Sequence, residues 1–570
     1  MPPVPLGSGT ATFCALIATI AVGRSAPWIG YWNGPSLWQA HLPLRSARRS
    51  WTWSYAPAHL QTSRQDHQRS FADTGCGPQG GTRDCGVPQI PGTESFVSGS
   101  ERENLPSPSI RGNTHAAGKK TADAIQGEVA REVEQLLRTI FQGARKTGRL
   151  DLEAVEMLTR SAMHRAGASA LTELLRFPAP GDRTAPCPCG QQARYRELRS
   201  KKILTALGEA MVERPYYLCP HCHQGQFPSD QELDIVHTEF SPGVRRMQAL
   251  VGQDAPFDHG REQMKLLAGL EVTAKSVERV AEAIGADIAR GEQAEIDGAL
   301  QLDLPVIVGE SVPILYIQMD GTGVPVVKKE TADRKGKLDG LPAHTREAKL
   351  GCVFTQTAWD KDGFAVRDPD STTYTGAIEQ AEQFGKRLYV EAWKRGWSRA
   401  AKKVVIGDGA EWIWNLAQQH FPTAIQVVDL YHARQHLWDL ARLLHPRDTK
   451  RRNAWIGLHQ KRWLEKGKIG KLVVSLRSIQ TPDADLARKI RNEADYFAAN
   501  AARMNYPEFR EQHLFVGSGV IEAGCKTVIG HRLKQSGMFW TVAGANAILA
   551  LRCNHLNGRF EDYWEARRAA

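Results

Sequence analysis

Three carboxylates stand where this sequence could hold metal ions for chemistry. Asp320 ends the apolar, β-branched run Leu315-Tyr-Ile-Gln-Met and is followed by Gly321-Thr-Gly323-Val-Pro. Asp408 ends a second run, Val404-Val-Ile-Gly, and is followed by Gly409-Ala-Glu-Trp, which opens a helix. A strand that ends in a carboxylate beside glycines leaves the acid at a sheet edge. Two such strands, with a third over 348–357 between them in sequence, bring two acids to one cleft. Glu522 follows Gly517-Ser-Gly-Val-Ile, with Ser518 able to cap a helix and Glu522 in its first turn, on a face with Lys526. A glutamate there commonly does no more than favour the helix dipole. Its place after two strand-end aspartates adds it to the set. Converging acids bind hard divalent cations through oxygen, and such ions activate a nucleophile and stabilise a leaving oxygen.

A second group offers soft ligands. Cys187-Pro-Cys189-Gly and Cys219-Pro-His-Cys222-His are two close pairs joined by sequence readable as hairpin strands, over 193–198 and 206–218. Tetrahedral Zn²⁺ takes two such knuckles, because a turn within each pair brings its sulfurs together. The first pair is C-x-C and therefore tight; His221 or His223 could replace a cysteine. Four closed ligands leave no position for chemistry, so this zinc is expected to be structural.

The elements that must position the acids follow in order. Strands are expected at 315–319, 324–328, 348–357, 403–406 and 424–428, with helices over 374–397 and 412–420. A three-strand meander followed by βα crossovers makes a mixed α/β sheet in ribonuclease H-like order. Asp429-Leu-Tyr-His432 then enters a helical insertion over about 432–512. Its basic stretches, 450–452 and 461–471, suit either a solvated face or a grip on a polyanion backbone. The catalytic unit is thus expected to span 311–570.

Upstream, 118–185 reads as a helical region, with one helix over 128–146 and a second capped by Asp151 and running to about Leu175. The zinc-ribbon-like knuckles occupy 186–228. Residues 229–300 read as helices. Within them a helix over 257–270, a turn containing Gly269 and a cap at Thr273 follow the helix-turn-helix plan, with Lys275, Ser276 and Arg279 on the exposed face of the second helix. The same plan serves plain packing pairs, and Glu278 and Glu282 count against a helix that makes many phosphate contacts.

With 570 residues more than one domain is expected, and a net charge of +11 favours a polyanionic partner. Ten cysteines in such a length make no disulfide scaffold. Residues 1–112 hold nine arginines and no lysine, with five tryptophans placed without periodicity. The segment 1–117 is expected to be disordered, or to reflect a start placed upstream of the folded chain. The apolar run at 10–22 is short of a membrane span, and no basic residue precedes it as a signal peptide requires. A soluble cytoplasmic protein without membrane contact is the expectation.

The ordered motifs Asp320-Gly-Thr-Gly-Val-Pro, Gly407-Asp408-Gly-Ala-Glu-Trp, Asp429-x-x-His432 and Gly517-Ser-Gly-Val-Ile-Glu522, with Arg532-x-Lys534-x-x-Gly-Met-x-Trp540, resemble bacterial DDE transposases of the ISKra4 insertion-sequence family. The resemblance covers about 126–568. It implies Asp320, Asp408 and Glu522 as the metal-binding triad for two Mg²⁺, with Mn²⁺ able to substitute. It implies double-stranded DNA as partner, both terminal inverted repeats and target, and a homo-oligomer in the synaptic complex. Water would free a 3′-OH at the element end, and that 3′-OH would join target DNA. Lys526, Arg532 and Lys534 would position backbone phosphates, and Trp540 would stack on a base or pack. Asp429 and His432 belong to a motif whose role is architectural or DNA-contacting. A catalytically retired DNA-binding regulator and a ribonuclease H-like structure-specific nuclease are the alternative readings; terminal repeats flanking the gene would separate them from a transposase.

Overall fold

The structure is a computed structural model. It describes scattered positions between 123 and 146, then 149–569 except 302, 303, 305–308, 333 and 337–342. The expectations for 1–117, and much of the helix expected over 128–146, lie outside the described residues. The end of that span, Arg145–Lys146, is a short strand paired with Arg149–Leu150, so the helix does not reach 146. Helix α1 (Leu152–Leu174) starts as expected, with the Asp151 carboxylate accepting from Ala154 N.

Four antiparallel strands form the ribbon: β1 (Thr184–Pro186), β2 (Gln192–Thr205), β3 (Gly208–Leu218) and β4 (Gly225–Gln226). β2 runs well past the expected 198. Its middle, 196–200, is exposed on both faces and carries no alternation to read, although burial resumes at Ile203 and Thr205; from Glu197 onward β3 pairs with it residue for residue. The chain turns at 206–207, where Gly208 adopts φ +110°.

Helices α2 (Pro242–Asp254), α3 (Phe257–Gln263) and α4 (Ala274–Leu300) follow. A π-helical turn extends α3 to Gly269, which closes it at φ +67°. Thr273 and Ser276 form a reciprocal capping box at the start of α4. Gly285 does not end α4. A Cβ there would lie 2.0 Å from Ala547 O, so the glycine lets α4 press against a C-terminal helix, α10 (Val542–Leu556). Val280, Ala281, Ile284 and Ile288 of α4 join the main core.

The central sheet has five strands: β5 (Val312–Pro325), β6 (Thr345–Gln356), β7 (Thr373–Ala377), β8 (Ala400–Gly407) and β9 (Ile425–Val428). Their order is β7–β6–β5–β8–β9, with β5, β6 and β7 antiparallel and β8 and β9 parallel to β5. This mixed α/β sheet is compatible with the ribonuclease H-like order. Leu315, Tyr316, Ile317, Val404, Val405 and Ile406 are fully buried, because helices cover both faces. Helices α5 (Ala381–Lys394) and α6 (Glu411–His420) make the crossovers.

Two expectations change. The strands expected at 315–319 and 324–328 are one strand. Gly321 and Gly323 do not turn the chain; they pair with Lys349 and Glu347. A Cβ at Gly321 would sit 2.6 Å from Glu347 Oε1, so the glycine makes room rather than a bend. The helix expected from 374 begins at Ala381, since Thr373-Tyr-Thr-Gly-Ala pairs with β6 as the third meander strand. Gly376 is needed there, because a Cβ would lie 2.7 Å from Lys349 O.

Beyond β9 the chain is helical: α7 (Leu430–Leu444), further short helices, α8 (Ala484–Ala499), and α9 (Gly519–Gly524) before α10. Among the described residues no helix is long and apolar enough to cross a membrane.

Candidate functional site

Strand pairing places the two aspartates. Ile406 of β8 lies opposite Gln318 of β5 in a parallel pair. Two residues further along each chain, Asp408 comes beside Asp320. The Asp408 carboxylate accepts from Ala410 N at 2.9 Å, folding the chain back after the strand. Gly409 takes φ +103° in that turn, and a Cβ there would lie 2.5 Å from the Tyr496 ring.

Gln318 ties the third acid to the same strand. It is fully buried and shares a strand face with Asp320 two residues on. Its amide donates to Gly517 O at 3.1 Å and accepts from Ile521 N at 3.0 Å. The start of α9, with Glu522 next in sequence, is thereby fixed against β5. Backbone bonds from Asp429 N to Gly407 O (2.8 Å) and from Leu430 N to Val516 O (2.9 Å) join β8, α7 and the approach to α9.

The electrostatics agree with this convergence. Burial pushes the Asp320 carboxyl above its ordinary range, and the charges of Asp408 and Glu522 push the same way. The Gly321 N–H and the Cys525 thiol, 2.7 Å and 3.5 Å from its oxygens, favour the anion but do not prevail. A divalent cation among these groups would turn their mutual repulsion into attraction. The donors are mainly oxygen, which suits a hard ion.

Three neighbours were not legible as site residues. Cys525 touches Asp320 and carried no signal of its own. Ser518 stands at the cap position the sequence suggests, but its hydroxyl makes no capping bond and instead reaches the carboxylates of Asp429 and Glu522. Gln318 looked like one polar residue in an apolar strand, which was the available hint. Asp429 is buried and caps α7, accepting from Tyr431 N at 2.7 Å. His432 Nε2 lies 3.2 Å from His436 Nε2, and His436 Nδ1 lies 2.7 Å from Glu493 of α8. Tyr496 of α8 stacks on His436 and donates to Asp408 O at 2.9 Å.

The candidate DNA contacts divide. Lys526 and Lys534 are exposed. Lys534 Nζ donates to Thr322 Oγ1 at 2.9 Å, two residues along β5 from Asp320, and so sets a cation at the rim of the acids. Arg532 is different, because it is fully buried. Its Nε donates to Gly252 O at 3.0 Å, and its guanidinium lies 4.5 Å and 5.0 Å from the ring centres of Phe257 and Trp540. Burial, then the nearby Arg552, pushes that guanidinium down to about 10. Arg532 therefore ties α2 and α3 to the C-terminal helices and offers nothing to a phosphate at the surface. Trp540 packs, with its indole N–H on Leu533 O at 3.1 Å. On α4, Arg279 is exposed, Lys275 pairs with Glu278 at 2.6 Å, and the Ser276 hydroxyl is engaged in the capping box.

The cysteines form a distinct candidate metal centre. The sulfurs of Cys187 and Cys222 lie 3.6 Å apart, as do those of Cys189 and Cys219, and all four fall within 4.8 Å of one another. Tetrahedral zinc with bonds of about 2.3 Å needs sulfurs separated by about 3.8 Å. Each knuckle is a backbone turn: Gly190 N donates to Cys187 O, and His223 N to Cys219 O. The Cys222 N–H, then burial opposing it and the His221 N–H reinforcing it, leave the Cys219 thiol lowered to about 6. The set is complete with four cysteines, and neither His221 nor His223 belongs to it. Among the described residues it is the one group of three or more such ligands gathered this closely.

No family model matches the chain, and no curated protein matches it. A solved Drosophila P element transposase strand transfer complex aligns over 59% of this chain and 83% of its own, at 9% identity and a TM-score of 0.21.

Proposed function

We propose that the chain is a DDE transposase with a ribonuclease H-like catalytic domain, of the kind its motifs resemble. What supports it is that strand register carries Asp408, just past β8, toward Asp320 of β5, that Gln318 fixes the start of α9 with Glu522, and that the charges of both act on Asp320. In this reading the three hold two Mg²⁺, for which Mn²⁺ can substitute. The ions supply a more acidic attacking water and a stabilised leaving oxygen.

The chain's own residues supply the rest. Gln318 and the Asp429–Ser518 pair hold α9 and Glu522 against the middle of β5, beside Asp320. Lys534 and Lys526 draw the DNA backbone to the rim, with Lys275, Ser276 and Arg279 of α4 as a further contact surface. The scissile phosphodiester is cut by water, freeing a 3′-OH, which then attacks target DNA. No covalent link between protein and DNA forms, so no serine or tyrosine nucleophile is required. The cysteine centre holds zinc for structure. The partners are the element's terminal inverted repeats and target DNA, bound by a homo-oligomer in the synaptic complex.

Excision and insertion of a marker flanked by the gene's own terminal DNA test this reading. Wild type should move the marker, and Asp320→Ala, Asp408→Ala and Glu522→Ala should each abolish movement at equal expression. Retained activity in those variants would overturn the triad. A wild type that binds the ends without cutting would instead mark a retired DNA-binding regulator.

A further inference from the structure

Asp429 and Ser518 have no place in the triad, yet they make an unbroken polar path to it. Asp429 is 1% exposed and Ser518 7% exposed. One Asp429 oxygen accepts from Tyr431 N at the start of α7, where the helix dipole favours its charge. The other oxygen takes the Ser518 hydroxyl. The same Ser518 Oγ lies 3.1 Å from Glu522 Oε1. A hydroxyl has one hydrogen, so Ser518 shares it between two carboxylates. The Asp429 end is rigid: its side chain is buried and bonded to a helix start, and its backbone N–H is bonded to Gly407 O at the end of β8.

Glu522, by contrast, is exposed. An exposed glutamate samples many rotamers and loses that freedom when it binds a metal. The Ser518 hydroxyl restricts it beforehand. We infer that Asp429 and Ser518 are positioning residues that tether the Glu522 carboxylate, and that the Asp429-x-x-His432 motif is present partly for this purpose. The inference rests on the metal-binding role proposed for Glu522. It gives a reason for Gly517 beside Ser518: a Cβ at 517 would lie 2.8 Å from the Tyr431 ring, so glycine lets the loop approach α7 closely.

The test is Mn²⁺ binding to the full zinc-loaded chain, followed by the spin resonance of free Mn²⁺ and needing no DNA. Glu522→Gln is the reference and should weaken binding. Ser518→Ala should weaken it about tenfold, within the range for outer partners of metal ligands. Ser518→Thr, which keeps the hydroxyl, should restore it. Asp429→Asn still caps a helix, should weaken binding less than Ser518→Ala, and should add little to it in the double variant. A Ser518→Ala protein that binds Mn²⁺ as the wild type does, while Glu522→Gln does not, would overturn the tether alone. Unchanged binding in Glu522→Gln would overturn the metal role of Glu522 and the tether with it. Loss in Ser518→Ala that Ser518→Thr fails to restore would also count against the tether, since a hydroxyl is what it requires.

Discussion

The cysteine centre and the carboxylate site solve the same problem, gathering ligands for a cation, by opposite means. The cysteines come from two turns of one ribbon, within 36 positions of sequence from Cys187 to Cys222. Their backbone bonds fold each knuckle locally, and the sulfurs already stand at zinc-binding separations. The acids come from β5, β8 and α9, and strand register, buried Gln318 and the Asp429–Ser518 pair bring them together. They repel one another and do not gather as closely as the sulfurs. The local site closes on itself, as a structural zinc would need. The site assembled from distant elements leaves its acids on an open edge, as the proposed substrate-binding centre would need.

Removing zinc should produce the largest effect and show how far the ribbon depends on it. Structural zinc in small modules contributes about 10–16 kcal/mol of binding free energy to folding. A chelator, or Cys219→Ser, should therefore strip amide protection from 184–226 and leave the buried strands β5 and β8 protected in hydrogen exchange. Protection of the ribbon that survives without metal would remove the contrast with the acids.

Asp320→Asn should behave in the opposite sense: a large loss of activity with no loss of stability. Activity should fall about a thousandfold or more, equivalent to about 4 kcal/mol at the transition state. The sign of the stability change follows from the carboxyl being pushed up in the folded chain. Ionising such a group opposes folding above its unfolded range, and the penalty vanishes where both states are protonated. In the metal-free protein the variant should thus melt at or above the wild-type temperature at neutral pH, with the difference fading below about pH 4. A clear fall in melting temperature at pH 7 would show that Asp320 supports the fold.

Arg532→Ala separates the two basic residues of one motif. Arg532 fills the space between Phe257, Trp540 and Gly252 O, so its loss should cost about 2–4 kcal/mol, as for other large buried side chains. DNA affinity of the folded variant, measured well below its melting temperature, should be unchanged. A weakened DNA affinity with unaltered melting would return Arg532 to the binding surface.

What could be read from the sequence follows the same division. The zinc pairs were legible because ligand type and spacing lie within one turn. The apolar runs that lead into Asp320 and Asp408 were legible as strands, because each is β-branched and ends at an acid. The shape of β5 was not, because Gly321 and Gly323 signal a turn in isolation, while here they clear space for Glu347 and Thr345 on the paired strand. β7 was missed because five residues carry too little pattern against the helix that follows. Arg532 and Lys534 look alike in sequence, and burial alone distinguishes them. Ser518 was read as a local cap because its true partners include Asp429, a contact across 89 positions that no local pattern encodes.

Lys534→Ala is the smallest and most discriminating of these changes. Lys534 is exposed, and its hydrogen bond to Thr322 Oγ1 orients it near Asp320 of β5 without burying it. Folding should hardly notice its removal, since an exposed polar contact of this kind contributes little. A lysine that neutralises one phosphate releases about one counterion, so the dependence of log affinity on log salt should fall by about 1. The loss should be similar across DNA sequences, because a phosphate contact carries no base information. Titration of terminal-repeat and unrelated duplexes at several salt concentrations measures both properties. An unchanged slope would mean that DNA does not reach this rim, and that the acids of β5 and β8 are approached from another side.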